Sequence, residues 1–267
     1  MRLILMAVLV LPCALFAQEK KSKITFGTVT KEELLNNTCE FDKDAEAMVL
    51  YENAKMYLDI SGPQLYTELQ VHTRIKILKD NGLKRADIKL NYRHARNDQA
   101  ISGVTASTYN LDAAGNVVAS KLDKKLIYGK KISAKYSQET FTLPDVKVGS
   151  VIEYKYTLRG FNSRSWVLQK NIPVKETHYE VDFPGMIELH TQSFCAYPLR
   201  KKDASTALRT IVKYEMEDLP AIKDEEYVTS RQDYVERIEC WAMAYKGVDG
   251  RRIPLVKSWK AVAQSLL

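Results

Sequence analysis

Beyond its apolar leader this 267-residue chain carries three cysteines, Cys39, Cys195 and Cys240, and four histidines, His72, His94, His178 and His190. A thiolate nucleophile needs a base within hydrogen-bond reach and a further group that orients the base. ECWAMAYK sets Trp241 directly after Cys240, a pairing found around cysteine nucleophiles, yet no histidine follows His190. The residues before Cys240 alternate, Glu236, Ile238 and Cys240 against Val235, Arg237 and Glu239, which predicts a buried strand thiol rather than one at a helix start. Cys39 stands beside Glu40 and Asp42, whose charge raises a thiol pKa, and Cys195 stands near Phe194 and Tyr197 with no basic cluster. No CxxC spacing occurs, and an odd count leaves at least one thiol unpaired. His72 and His178 fall on the polar side of alternating runs and are expected at the surface, so neither a metal site nor a cofactor is expected.

Among carboxylates the candidate is Glu153. In VKVGSVIEYKY (Val146–Tyr156), continued by Thr157 and Leu158, residues Ile152, Tyr154, Tyr156 and Leu158 share one side and Glu153, Lys155 and Thr157 the other. That is a strand with one buried face, so Tyr154 and Tyr156 are expected inside and Glu153 and Lys155 outside. Glu153 reads either as a ligand contact or general base, or as half of a cross-strand ion pair with a neighbouring Lys or Arg. Trp166 and Gln169, just downstream, read as ligand contacts or as core and ladder residues. No paired-acid pattern for glycoside hydrolysis is present.

The elements that must position these residues begin after a leader. MRLILMAVLVLPCALFAQEKK has a basic Arg2 and an uninterrupted apolar run from Leu3 to Ala17, the form of a secretory signal peptide, too short to span a bilayer comfortably. Cleavage is expected after Ala17, and Pro12 before Cys13 argues against a lipoprotein signal. Without Arg2 the chain holds 39 basic and 33 acidic residues, a net charge of +6. KKSK, KLDKK, GKK and LRKKD are dispersed beside turns, which implies a solvated, mildly basic surface and no nucleic-acid groove. No stable membrane insertion is expected once the leader is gone.

Fifteen Tyr against seven Phe and three Trp favours β structure, where aromatic side chains fit a pleated surface. A short helix is expected in TKEELLNN, with Thr30 and Glu33 as a capping box. Ala47–Ile60 reads as two short runs around Glu52-Asn53-Ala54. Leu69–Leu78 alternates into Asp80-Asn81-Gly82, a hairpin signal, and returns through Ala86, Ile88, Leu90 and Tyr92. GVTASTYNLD and VVASKL flank a turn at Asp112 and Gly115. Further strands are expected at Lys124–Lys131, Val167–Ile172, Thr177–Phe183 (Thr177, Tyr179, Val181 and Phe183 inward), Ile187–Ser193 and Arg209–Met216. Strands every 8–12 residues without crossover helices predict an all-β, antiparallel β-sandwich. The divisions are 1–17 leader, 18–46 lead-in, 47–217 sandwich, 218–257 connector with a last strand, and 258–267, where SWKAVAQSLL starts a helix capped by Ser258.

TRIKILKDNGLKRADIKLNY, ASTYNLDAAGNVVASKL, FTLPDVKVGSVIEYKYTLRG and WVLQKNIPVKETHYEVDFP, in this order, resemble the N-terminal domain, catalogued as domain of unknown function 3857, of bacterial exported transglutaminase-like proteins. Phe141, Pro144, Val146, Gly149, Ser150, Ile152, Glu153, Tyr154 and Tyr156 fill one family pattern, and Trp166, Gln169, Ile172, Pro173 and Val174 another. The resemblance implies a sandwich followed by a cysteine domain with a Cys, His, Asp order, of which SWKAVAQSLL resembles the first helix. It also implies a non-catalytic exported module, in the periplasm or cell envelope, that scaffolds that domain or presents substrate to it. The alternative is a free-standing module binding an envelope peptide or glycan. The leader supplies a direct check: the protein isolated from its host is expected by mass spectrometry to begin at Gln18, and a chain beginning at Met1 removes the export reading.

Overall fold

The computed structural model describes residues 24–59, 66–95, 99–160, 165–223, 230, 234–247 and 249–255. The leader and SWKAVAQSLL lie outside these residues. The chain is all-β, as expected, and its centre is a single long sheet. Strand β1 (Ala47–Asp59) pairs antiparallel with β2 (Tyr66–Ile77) and parallel with β10 (Val174–Pro184). On the far side of β2 come β8 (Val151–Arg159), β4 (Ala100–Leu111) and β5 (Val117–Lys121). Beyond β10 lie β13 (Arg209–Leu219) and β12 (Arg200–Asp203). Among the described residues every ladder is antiparallel except β1–β10.

Two smaller sheets supply apolar residues to one face of this sheet. The first has the order β3 (Asp87–Arg93), β7 (Tyr136–Thr142), β6 (Tyr128–Lys131). The second joins β11 (Ile187–Phe194), β14 (Arg237–Lys246) and β15 (Arg252–Pro254), with β9 (Ser165–Val167) also on β14. Ile88, Leu90 and Phe141 from the first, and Ile238 and Cys240 from the second, join Leu69, Val71, Ile152, Tyr179 and Val181 in one buried cluster. Thr177, Tyr179, Val181 and Phe183 are all buried, as their alternation predicts. A second cluster lies on the opposite face, where Val29, Leu34, Cys39 and Ala45 pack on Met48, Leu50, Tyr109 and Val151. The lead-in is thus a third layer. Its helix α1 (Lys31–Leu35) has both halves of the expected capping box, Glu33 N–H to Thr30 Oγ1 at 3.2 Å and Thr30 N–H to Glu33 Oε2 at 2.7 Å.

Several expectations are corrected. Ala47–Ile60 is not two runs: β1 is continuous to Asp59 and carries a register shift between Val49 and Tyr51. Val49 lies opposite Ile75 and Glu52 opposite Thr73, so both Leu50 and Tyr51 fall on the other face. This bulge inverts the alternation and turns Glu52 inward. Val167–Ile172 is strand only as far as Val167, and Lys124–Lys131 opens with a 3-10 turn, Lys124–Leu126, before β6.

The Asp80-Asn81-Gly82 hairpin does not form. Asp80–Ala86 is a 3-10 helix, and β3 leaves the main sheet to pair with β7. Gly82 is needed for closeness, not for a turn dihedral: a Cβ there would lie 2.2 Å from the Glu46 carbonyl oxygen, which accepts the Leu78 and Lys79 amides, each at 3.0 Å. The expected turn at Asp112 and Gly115 does form, with Gly115 at φ +77° joining β4 to β5. Gly82→Ala is expected to destabilise the fold by about 1–3 kcal/mol, read as a lowered denaturation midpoint.

Candidate functional site

The two faces of the main sheet hold different chemistry. On the face covered by the lead-in, Arg74 of β2 stands directly opposite Glu153 of β8. Glu153 is fully buried, against the expectation of exposure, because residues 25–35 fold over it. Its Oε1 accepts from Arg74 Nη2 at 2.7 Å and Arg74 Nε at 3.0 Å, and pairs with His72 Nε2 at 2.7 Å. Its Oε2 accepts from the Gly27 amide at 2.8 Å and the Tyr109 hydroxyl at 3.1 Å. Arg74 reaches on to Glu33 at 2.7 Å and to the Thr25 carbonyl at 3.1 Å. Burial pushes the Glu153 carboxyl up, but the bonds from His72 and Gly27 and the Arg74 charge outweigh it and hold the group below the usual carboxylate range. The cross-strand ion pair forms, and Glu153 ties residues 25–35 to the sheet through Arg74 and the Gly27 amide.

The motif around Glu153 serves the same junction. Gly149 takes φ +90°, donates to the Ile77 carbonyl at 3.0 Å and accepts from Lys76 Nζ at 2.6 Å. Ser150 donates to Asn110 Oδ1 at 2.6 Å and caps the Lys147 amide at 2.9 Å. Lys155 is exposed as expected, whereas Tyr154 and Tyr156 are only half-buried. The reason is a cavity.

That cavity, about 500 Å³, lies over the opposite face of the main sheet. Its floor is a cross-strand polar row. Glu52 of β1, Thr73 of β2 and Tyr154 of β8 are successive register partners that line it. Glu52 is 4% exposed and sits 2.9 Å from Lys170 Nζ. Burial, then the Glu52 charge, push the Tyr154 phenol up to about 12 against the opposing Thr73 hydroxyl. Trp166 lines one wall, stacked on Tyr179 with ring centroids 6.0 Å apart and with Lys170 Nζ 4.8 Å above it. Its Nε1 is shut off from solvent and donates to no described acceptor. An aromatic wall and a buried carboxylate suit a polar ligand with an extended apolar part.

Of the three residues singled out in sequence, Trp166 alone reaches this cavity. Gln169 is buried and donates to the Pro220 carbonyl at 3.0 Å, and Glu153 lies on the far face. Glu52, Thr73 and Tyr154 were missed as a group because the bulge hides that Glu52 turns inward.

The thiols stand apart. Cys240 is buried in β14 as predicted, its thiol pushed up to about 12 by burial. Cys195 is pushed to about 11 by burial and the Glu236 charge, and Cys39 is raised by burial and, among the charges, by Asp42. His190 is opposite Trp241, not Cys240, so strand alternation sends it to the other face. His72 pairs with Glu153, His94 with the Ser137 hydroxyl and His178 with Glu176. Glu176, His178 and Glu215 offer ligand atoms within 4.8 Å of one another. They are already engaged, Glu176 hydrogen-bonded to His178 at 2.6 Å and Glu215 paired with Arg200 at 2.7 Å.

Glu153→Gln should cost about 3–5 kcal/mol, since it leaves Arg74 buried without its charge partner. The pH dependence has a fixed sign. A carboxyl held below its unfolded value stabilises fully at neutral pH and loses that contribution as pH falls through its lowered pKa. Acid unfolding of the natural protein should therefore be steeper than that of Glu153→Gln, measured by denaturant titration from pH 7 downward.

A crystal structure from Parabacteroides distasonis ATCC 8503, provisionally named a protease, superposes with a TM-score of 0.60 at 15% identity, over 73% of this chain and 40% of that one. An M1 zinc metallopeptidase from Deinococcus radiodurans reaches 0.36 at 9% identity, over 72% of this chain and 42% of that one, too slight to bear on the fold. The chain thus spans about two fifths of the length of either. No curated protein matches it. The profile of DUF3857, described as a domain of unknown function with solved structure, matches residues 66–223, more than half of the sequence, and the chain belongs to that family.

Proposed function

We propose that this chain is a non-catalytic, exported β-sandwich module that holds substrate for a transglutaminase-like cysteine domain, which acts on peptide in the cell envelope. The observation that carries the reading is the state of the three thiols, each raised in pKa by burial, with every histidine engaged elsewhere. Acyl transfer requires a thiolate poised against a base, so the chemistry is assigned to a partner domain. The likeness to part of a longer, provisionally named protease is consistent with such a division of labour. Substrate is held in the cavity over Glu52, Thr73 and Tyr154, where Trp166 offers an aromatic wall. Export rests on the leader.

The test is an amine-incorporation and peptide-hydrolysis assay on the purified chain, with calorimetric titration of envelope-derived peptide fragments alongside. The chain alone is expected to show no turnover, and Cys39→Ser, Cys195→Ser and Cys240→Ser are expected to alter stability only. Peptide binding should weaken at least tenfold in Trp166→Ala, with the fold checked by circular dichroism. Turnover abolished by Cys240→Ser would make the chain an enzyme, and peptide binding indifferent to Trp166 would remove the cavity from the reading.

A further inference from the structure

The outer edge of the small β3–β7–β6 sheet combines two features that the cavity does not explain. Residues 124–136, KKLIYGKKISAKY, contain five lysines, at 124, 125, 130, 131 and 135, and no acid. All five are exposed. The described lysines that do form ion pairs are Lys55, Lys84, Lys170 and Lys213, none of them in this run. The preceding acid, Asp123, is occupied in accepting from the Lys125 amide at 3.0 Å.

The same run exposes four large apolar or aromatic side chains: Leu126 at 49%, Tyr128 at 62%, Ile132 at 48% and Tyr136 at 47%. They are spatially ordered. Leu126 ends the 3-10 turn that leads into β6, Tyr128 begins β6, and the Ile132 amide donates to the Tyr136 carbonyl at 3.0 Å where the hairpin closes. β6 is the last strand of its sheet, so the row runs along a free edge for about 13 Å from Tyr128 to Ile132, at about 3.3 Å per residue.

We propose that this edge is a peripheral docking surface for an anionic lipid bilayer. Lysine stems lie along apolar surface with their ammonium groups at the headgroups, tyrosine rings suit the interfacial zone, and Leu126 and Ile132 enter the acyl boundary. A soluble polyanion would be met by the five charges and the two tyrosines but would have no use for two exposed aliphatic side chains. Charge and apolar exposure together select the bilayer. The attachment is adsorption of a hairpin edge; no helix among the described residues is long and apolar enough to cross a membrane. It would hold the module against the membrane surface independently of whether the cavity binds peptide.

The experiment is co-sedimentation of the chain, as the cell processes it, with vesicles of equal parts phosphatidylglycerol and phosphatidylcholine, beside vesicles of phosphatidylcholine alone. Binding is expected to the anionic vesicles and to fall with added salt. Each lysine replaced by Gln should lower partitioning about fivefold, the equivalent of about 1 kcal/mol per basic residue near an anionic surface. Leu126→Ser with Ile132→Ser should lower it by a comparable factor while every charge is kept. These positions face solvent, so unaltered thermal melts are expected, and the salt titration of the unmodified protein stands even if a variant misfolds. Equal binding to both vesicle types, no binding to either, or binding that ignores the aliphatic pair and is displaced by soluble dextran sulfate would each overturn the proposal.

Discussion

A guanidinium and a carboxylate withdrawn from water on a sheet face must find every bond they lost, and Arg74 and Glu153 find them in the lead-in. Removing two such ions from solvent costs several kcal/mol each, which geometry has to return. Here the return comes from sequence-distant groups, the Gly27 amide, the Thr25 carbonyl, Glu33 and Tyr109, gathered onto a pair already set opposite each other by the β2–β8 register. The lead-in is held because the pair needs it, and the pair is tolerable because the lead-in covers it. The tight Gly149–Ser150 turn and the helix capping box serve the same junction: one sets the start of β8, the other aims Glu33.

On the opposite face a different constraint operates. The bulge at Leu50 and Tyr51 turns a glutamate toward the face that carries the main apolar cluster. A buried carboxylate there demands a cation, and Lys170 supplies it from the segment after β9. The cavity is a consequence: the small, polar Thr73 on its floor leaves room that a fully aliphatic row would fill. A packing irregularity on one strand thereby places a polar row along the floor of this cavity.

Sequence patterning made the class of the fold legible wherever alternation was regular. The inward set Thr177, Tyr179, Val181 and Phe183, the Thr30–Glu33 capping box, the Asp112–Gly115 turn and buried Cys240 all follow from period and turn chemistry. Legibility failed where a tertiary partner decided the matter. Asp80-Asn81-Gly82 has hairpin chemistry, but the Glu46 carbonyl occupies the space that its glycine leaves, and β3 departs to another sheet. Glu153 has the alternation of a solvent face, and only a segment more than a hundred residues upstream closes it. For the candidate site Trp166 was readable as an aromatic beside a strand, while Glu52 was not, since a one-residue bulge reverses which side it takes.

The parallel ladder between β1 and β10 has a further consequence for how the molecule comes into being. Val49 is matched with Val174 and Tyr57 with Asp182, so the central strand of the sheet waits for a partner that is synthesised after most of the chain. Until that segment is available β1 presents an open edge, and the β2–β8–β4 half has no second flank to lean on. Closing so long a loop delays assembly while adding little to its eventual free-energy cost. A break in this ladder would leave β1 with an unpaired edge of the kind that pairs with other chains.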